Sequence, residues 1–593
     1  MVKERSEIDD RYKWDIESMY SSIEEAEDEI EDIREELDAV QEMEGKVADS
    51  PESLENTLDL KMSLSRRMMH VSRFASMRKD QDTRDQDAQK LLSKAKALST
   101  DISNATGFIR PEIAEAGEEK IQNFVDENEG LEKFQHYFDN LFRMEEHILP
   151  AEEESLLASL GDVLDTAHET YSTFTNADLT FPEVEKPSGE TVELTVSNFT
   201  KFQKNPDREF RKETYEKLFN TFGNYRNTVT TTLQKNLRKN VRIADIRGFK
   251  SAREAAMKPD NIPEKVYDNL VDTVNSNLDL LHRHAELKKK VLGVDELQMY
   301  DIYMPVTDTE SPEISFEEAK EHILEALKPL GDEYVEKVRD ALEEEKWVDI
   351  YENKGKRSGA YSGGSYDSKP FILMNYQGDM SSMYTLIHEL GHSMHSHHTN
   401  NNQPYHYSSY TIFQAEIAST TNEALLTRHL LNTVEDREFR KHVLSHSLEK
   451  MRGTLFRQTM FAEIEHWLHE KIEEGEALSP DSIDEKYGKL KQTYYENAEM
   501  DNKIKREWMR IPHFYYNYYV YQYATGISAG NTLAEKIISQ GPEDYLEFLK
   551  TGSSEYSIES LQKAGTDMSS TEPIEKALER YEKHLDKAEE LMD

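Results

Sequence analysis

Residues 388 to 392 read His388-Glu389-Leu390-Gly391-His392, an H-E-x-x-H pattern. On a helix, positions i and i+4 stand one above the other, so both imidazoles address one point in space. Two imidazoles so placed are ligands for a divalent cation. A glutamate next to the first of them is positioned to take a proton from a water held there. Catalytic zinc ordinarily takes three protein ligands and leaves a fourth position open. The chain contains no Cys, so the third ligand must be His, Glu or Asp. Without Cys, a disulfide framework and a thiol nucleophile are also excluded.

Candidates for that ligand lie downstream, in Phe413-Gln414-Ala415-Glu416-Ile417-Ala418-Ser419-Thr420-Thr421-Asn422-Glu423. Glu416 and Glu423 are seven residues apart, two helical turns, and share a face. Phe413, Ile417 and Ala424 predict that this helix is buried beside the first. Carboxylates on a buried helix are costly unless a positive group satisfies them, which a metal with two histidines would do. Glu416 is therefore expected as third ligand. Glu423 is expected to accept a hydrogen bond from a ligand imidazole and fix its tautomer. Two histidines and one carboxylate favour zinc, as one Zn2+ ion.

The first helix needs a rigid base. Met383, Ile387, Leu390 and Met394 form an apolar stripe opposite the histidines, and Asp379, Ser381 or Ser382 can cap its start. His395 is expected near the site, and His397 and His398 are expected to face solvent. Ahead of the helix, residues 355–368 carry Gly355, Gly359, Gly363 and Gly364 in a loop, and residues 369–376 read as a strand.

Most of the remaining sequence has helical period. Ile23, Ala26, Ile30, Ile33, Leu37 and Val40 form a short seam, expected to pack within its own domain as a helical hairpin. Residues 178–198 read as a small hairpin about a Lys186-Pro187-Ser188-Gly189-Glu190 turn. Tyr300 to Val306 read as extended, followed by a loop to 312. Residues 572–593 read as a charged, solvated helix. The expected division is a helical hairpin region over 1–110, a second helical lobe over 111–200 ending in the hairpin, and a large domain over 201–593.

The chain has 593 residues, 37% hydrophobic and 32% charged, enough apolar material for sizeable cores. Its 72 basic and 117 acidic residues give a formal charge of -45. Such a polyanion repels nucleic acid and anionic lipid, so neither is expected as a partner. The opening residues do not resemble a signal peptide, and no run has the ~18 apolar residues of a bilayer span. A soluble, cytoplasmic protein is expected.

The motif and its surroundings resemble the thimet-oligopeptidase-like zinc metallopeptidases, and within them the oligoendopeptidase F group. Glu416 stands 28 residues beyond His388 in the context AEIASTTNE. Arg510-Ile511-Pro512-His513-Phe514-Tyr515-Tyr516 and the tyrosines to Tyr523 resemble the family's Tyr-rich segment after a His. Ser358 to Tyr361 and Met374 to Tyr376 resemble its loop and strand before the zinc helix, and Asp10 to Ile16 its amino-terminal signature. The likeness runs from about residue 7 to 580.

The resemblance implies a mainly α fold, a large helical zincin-type body enclosing a deep channel, with a helical N-terminal lobe and a few short strands near the site. It implies a zinc metalloendopeptidase acting on internal bonds of short unstructured peptides. A zinc-activated water would be the nucleophile and Glu389 the general base. His513, Tyr516 and Tyr523 would donate to the developing oxyanion, the tyrosines sharing a helical face with Tyr519. Gly359, Tyr361, Tyr518 and Tyr521 would contact substrate, the glycine loop bending over the peptide and the 370–376 strand pairing with its backbone. Competing readings are a zinc carboxypeptidase on a similar scaffold and a non-catalytic helical interaction protein.

Overall fold

A computed structural model describes residues 2–307 and 311–592. The chain is mainly helical with few short strands, as the sequence predicts. It divides into two compact units.

The first unit comprises Met1–Leu156, Pro312–His429 and Leu533–Thr566. Helices Ile23–Gln41, Pro51–Gln81 and Gln86–Ala105 pack against one another. Each begins on a side-chain cap, Ser22, Ser50 and Asp85 respectively, which satisfies backbone N–H groups that a helix start leaves orphaned. The seam residues Ala26, Ile30, Ile33 and Val40 are wholly buried in the core of this same unit. That burial is intramolecular, in a three-helix arrangement rather than a hairpin.

The same unit holds a three-stranded sheet. Phe371–Leu373 is its central strand, parallel to Val348–Asp349 and antiparallel to Tyr361–Gly363. Both edges of the 371–373 strand are thus taken up by the protein itself. For residues 371–373 this corrects the expectation that the 370–376 strand pairs with substrate backbone, since a strand with two partners has no free ladder to offer. Asp349, buried in the neighbouring strand, accepts from Arg5 at 2.6 Å and pairs with Lys356 at 2.6 Å. Burial alone would raise the Asp349 pKa, but these two cations hold it below its ordinary value.

The second unit comprises Leu157–Ser311, Leu430–Thr532 and Asp567–Asp593. Its expected hairpin is present as Glu183–Glu185 antiparallel to Thr191–Glu193. The stretch after 299 is not extended. Met299–Asp301 forms a 3-10 turn, because Asp301 caps back onto the Gln298 N–H at 3.0 Å and is clamped by Arg211 at 2.7 Å. Residues 308–310 of the loop expected after it lie outside the described residues. The helix Glu572–Met592 is not merely a solvated face: Ile574, Ala577, Leu578, Tyr581, Leu585 and Ala588 are buried along one side of it.

Among the described residues, no helix is long and apolar enough to cross a membrane.

Candidate metal centre

The motif lies on the helix Met380–Asn402 of the first unit. Of the three possible caps, Asp379 does the work, its Oδ1 accepting from the Ser382 N–H at 2.8 Å. Met383, Ile387, Leu390 and Met394 are all wholly buried and fix the helix to the core. His388 and His392 emerge half-buried on the opposite side.

The helix Ile412–Thr433 brings Glu416 to them. The two helices meet at Gly391. A Cβ there would lie 2.6 Å from the Ser419 Cα and 2.8 Å from the Ala418 carbonyl oxygen. Backbone touches backbone at this crossing, and only a residue without a side chain permits it. The motif's fourth residue is therefore dictated by the approach of the helix that carries the third ligand.

Each ring is held by its far nitrogen or edge. Nδ1 of His388 lies 2.5 Å from Glu423 Oε1, and the His392 ring is hydrogen-bonded to the Ala415 backbone carbonyl. The two Nε2 atoms then converge, 3.2 Å apart. Glu416 Oε2 lies 3.5 Å from the first and 3.9 Å from the second. Tetrahedral ligand atoms bound at about 2.1 Å stand roughly 3.4 Å apart, so the donor set fits a four-coordinate cation such as zinc. Among the described residues, His388, His392 and Glu416 form the group of three so arranged, with ligand atoms within 4.8 Å of one another. Burial, with His388 alongside, pushes the His392 pKa well down, which leaves that ring neutral and able to coordinate.

Glu389 is buried, 7% exposed, and burial raises its pKa. Its carboxylate receives the backbone N–H of Ser362. The Ser362 hydroxyl also meets that of Ser393 at 2.8 Å, so the strand before the motif is pinned to the motif helix twice. Sequence reasoning missed Ser362, whose only signal is alternation with Tyr361 in a three-residue strand.

That alternation sends Tyr361 to the other side of the sheet. Its hydroxyl donates to Asp80 at 3.1 Å and its ring meets Trp14 edge-on. The structure does not bring Tyr361 to the histidine pair. Gly359 adopts φ +86 with open space at its missing Cβ, its carbonyl accepting from Asn375 at 2.9 Å. His395 is buried and stacked on Tyr410 with ring centroids 3.8 Å apart. His397 and His398 do not face solvent freely: they pack on Trp347 and Tyr334.

In the second unit, His513 lies in a 3-10 turn Pro512–Tyr515, and the following helix starts only at Tyr521. Tyr516, Tyr519 and Tyr523 therefore do not share a helical face as expected. They are gathered instead by a turn in which Tyr518 adopts φ 50. His513 contacts all three rings at centroid distances of 5.9 to 6.0 Å. The Tyr523 hydroxyl lies 3.3 Å from that of Tyr519 and 3.5 Å from His513 Nε2. Burial, with Arg457 nearby, lowers the His513 pKa. Tyr518 and Tyr521 are not part of this group. Both are 2% exposed; the Tyr518 hydroxyl meets His466 Nδ1 at 2.9 Å, and Tyr521 packs on Tyr267.

Residues 201–580 match the family model for peptidase family M3, and residues 112–181 match that for oligopeptidase F. The chain is 44% identical over 595 residues to "Oligopeptidase PepF" of Bacillus subtilis (strain 168), covering all of this chain and 89% of that protein. It is similar to the crystal structure of oligoendopeptidase-F from Enterococcus faecium, with TM-score 0.76 and 38% identity over 96% of this chain and 98% of that one. A putative peptidase from Chlamydophila abortus aligns with TM-score 0.88 and 33% identity over 100% of both chains. This chain belongs to the metallopeptidases of peptidase family M3, in their oligoendopeptidase F group.

Proposed function

We propose that this peptidase is a zinc-dependent metalloendopeptidase that hydrolyses internal bonds of short unstructured peptides. The observation that carries the reading is the convergence of the two Nε2 atoms with Glu416 Oε2. A zinc ion held by His388, His392 and Glu416 would supply Lewis-acid polarisation of water and of the scissile carbonyl.

The chain's own groups do the rest. Glu389, held by the Ser362 N–H, takes a proton as general base and delivers it to the leaving amine. Its burial raises its affinity for a proton, which suits a group that must accept one near neutral pH. Glu423 and the Ala415 carbonyl orient the two ligand rings, so that each presents Nε2. On the family's pattern, His513, Tyr516 and Tyr523 act as donors to the oxyanion.

The test is incubation of the full chain with a mixed peptide library, with and without a chelator, read by mass spectrometry. Internal cuts that vanish with chelator and return with zinc are expected, in carboxyl-amidated peptides as well as free ones. Cleavage restricted to peptides with a free carboxyl terminus would instead establish a carboxypeptidase, and cleavage indifferent to chelator would end the zinc reading.

A further inference from the structure

The second unit buries a charge cluster in which the metal centre has no part. Glu507, 1% exposed, accepts from the Tyr487 hydroxyl and from Lys491 Nζ, both at 2.7 Å. Its other oxygen accepts from Arg457 at 3.0 Å and Arg510 at 3.1 Å. Beside it, Glu449 takes Arg452 at 3.0 Å together with Lys288. His284, next to Glu449, has its pKa lowered by burial to about 3 and adds no charge.

Five cations, Lys288, Arg452, Arg457, Lys491 and Arg510, thus face two carboxylates. Their side chains are little exposed, from 1% for Lys288 to 18% for Arg457. A buried surplus of this kind is unfavourable unless an anion offsets it. Tyr303 sits amid the excess. Its hydroxyl accepts from Arg510 at 2.8 Å, and the Arg452 guanidinium lies 5.4 Å from its ring. Burial would raise the Tyr303 pKa, yet the surrounding cations lower it. The Nε atoms of Arg457 and Arg510 are buried with no hydrogen-bond partner among the described residues.

A cavity touches this cluster. It has about 10 Å³ of room, one water-sized particle, and is lined by Arg452, Arg457, Lys491, Tyr303 and the paired carboxylate of Glu507, with apolar closure from Phe199 and Ile302. We propose that this cavity binds a single monatomic anion of chloride size. The room is that of one small particle, which a monatomic anion suits better than a carboxylate or phosphate group. A water molecule would fit and bond, but it would leave the charge surplus untouched. The inference stands apart from the peptidase reading, because nothing in it depends on the metal or on substrate.

The experiment is thermal unfolding of the full chain in sodium chloride or bromide, against sodium isethionate at equal sodium concentration. A saturable rise in midpoint of about 2 °C or more is expected for the two halides over isethionate. Arg457→Gln and, separately, Lys491→Met each remove one surplus cation while leaving Glu507 with partners, and each should shrink the halide effect. Crystals grown in bromide should show an anomalous peak inside the cavity. Equal midpoints in all salts together with no bromide peak there would overturn the proposal.

Discussion

Nδ1 of His388 lies 2.5 Å from Oε1 of Glu423, a residue two helical turns beyond the carboxylate that faces the same ring's Nε2. One helix thus contacts both nitrogens of one imidazole. The acceptor at Nδ1 keeps the proton there and leaves Nε2 as a lone-pair donor. Exchanging Glu423 for Gln weakens that acceptor without emptying the space. Metal affinity of Glu423→Gln is expected to fall ~10- to 100-fold, measured by competition with a chromophoric chelator. Peptide hydrolysis should recover when metal is supplied in excess. Unaltered affinity would show that Glu423 is only a packing residue.

Gly391 offers a test of the scaffold rather than the ligands. Its added Cβ would collide with backbone atoms of Ser419 and Ala418, which cannot move aside as a side-chain tip can. Gly391→Ala is expected to cost about 1–3 kcal/mol in stability by overpacking. It should also displace Glu416, three residues before Ser419, and so lower metal affinity although no ligand is changed. Denaturant unfolding and metal titration of the same variant check both halves.

The stripe Met383, Ile387, Leu390 and Met394, a cap among Asp379, Ser381 and Ser382, and the pairing of Glu423 with a ligand ring were legible in the sequence, because each follows from helical spacing and residue chemistry alone; which of the three residues caps was not. The role of Gly391 was not, since a helix crossing is a tertiary contact with no periodic signature. The tyrosines after His513 misled for a related reason. Spacing placed Tyr516, Tyr519 and Tyr523 on one helical face, but Tyr518 breaks the helix and a turn assembles the same rings. The central position of Phe371–Leu373 was hidden because its parallel partner, Val348–Asp349, is two residues long and leaves no run to read. In the last helix the apolar positions were present at the right spacing, and the density of charge around them obscured the stripe.

Glu389 is separable from metal binding. Its carboxylate is not among the three ligand groups, and Gln has nearly its shape with an oxygen that still accepts the Ser362 N–H. What Gln cannot do is take up a proton. Glu389→Gln should retain its metal content by elemental analysis while turnover of a reporter peptide falls ~10²- to 10⁴-fold. Undiminished turnover would falsify the assignment of Glu389 as base.

Acid should destabilise both units. His395 in the first and His284 and His469 in the second are fully buried, and burial is the largest cause lowering each pKa, to about 3, 3 and 4 respectively. In the unfolded chain a histidine titrates near 6.5, so below that pH the unfolded state binds protons that the folded state refuses. The contribution of each is fully present above pH ~6.5 and declines by about 1.4 kcal/mol per pH unit as pH falls toward the folded value. The unfolding midpoint should therefore drop steeply between pH 6.5 and 5, with uptake of about three or more protons on unfolding at pH 5. A midpoint flat over that interval would contradict the burial of these rings.

Glu465 controls the turn that gathers the rings around His513. Its Oε1 accepts the Tyr518 N–H at 2.8 Å, at the residue whose φ of 50 ends the turn's regular geometry. A left-handed conformation at a bulky residue is strained and persists only when its surroundings fix it. Burial raises the Glu465 pKa well above its ordinary value, which favours the neutral acid over the carboxylate, and Oε2 has no hydrogen-bond partner among the described residues. A neutral amide of the same shape can replace a neutral acid. Glu465→Gln should therefore stay within about 1 kcal/mol of the parent in stability, because its amide oxygen still accepts from Tyr518. Glu465→Ala should lose about 1–3 kcal/mol by orphaning that N–H, and its turnover should fall as the ring group loosens. If Gln and Ala prove equally damaging, the carboxyl group is ionised in place and its charge, not its shape, holds the turn.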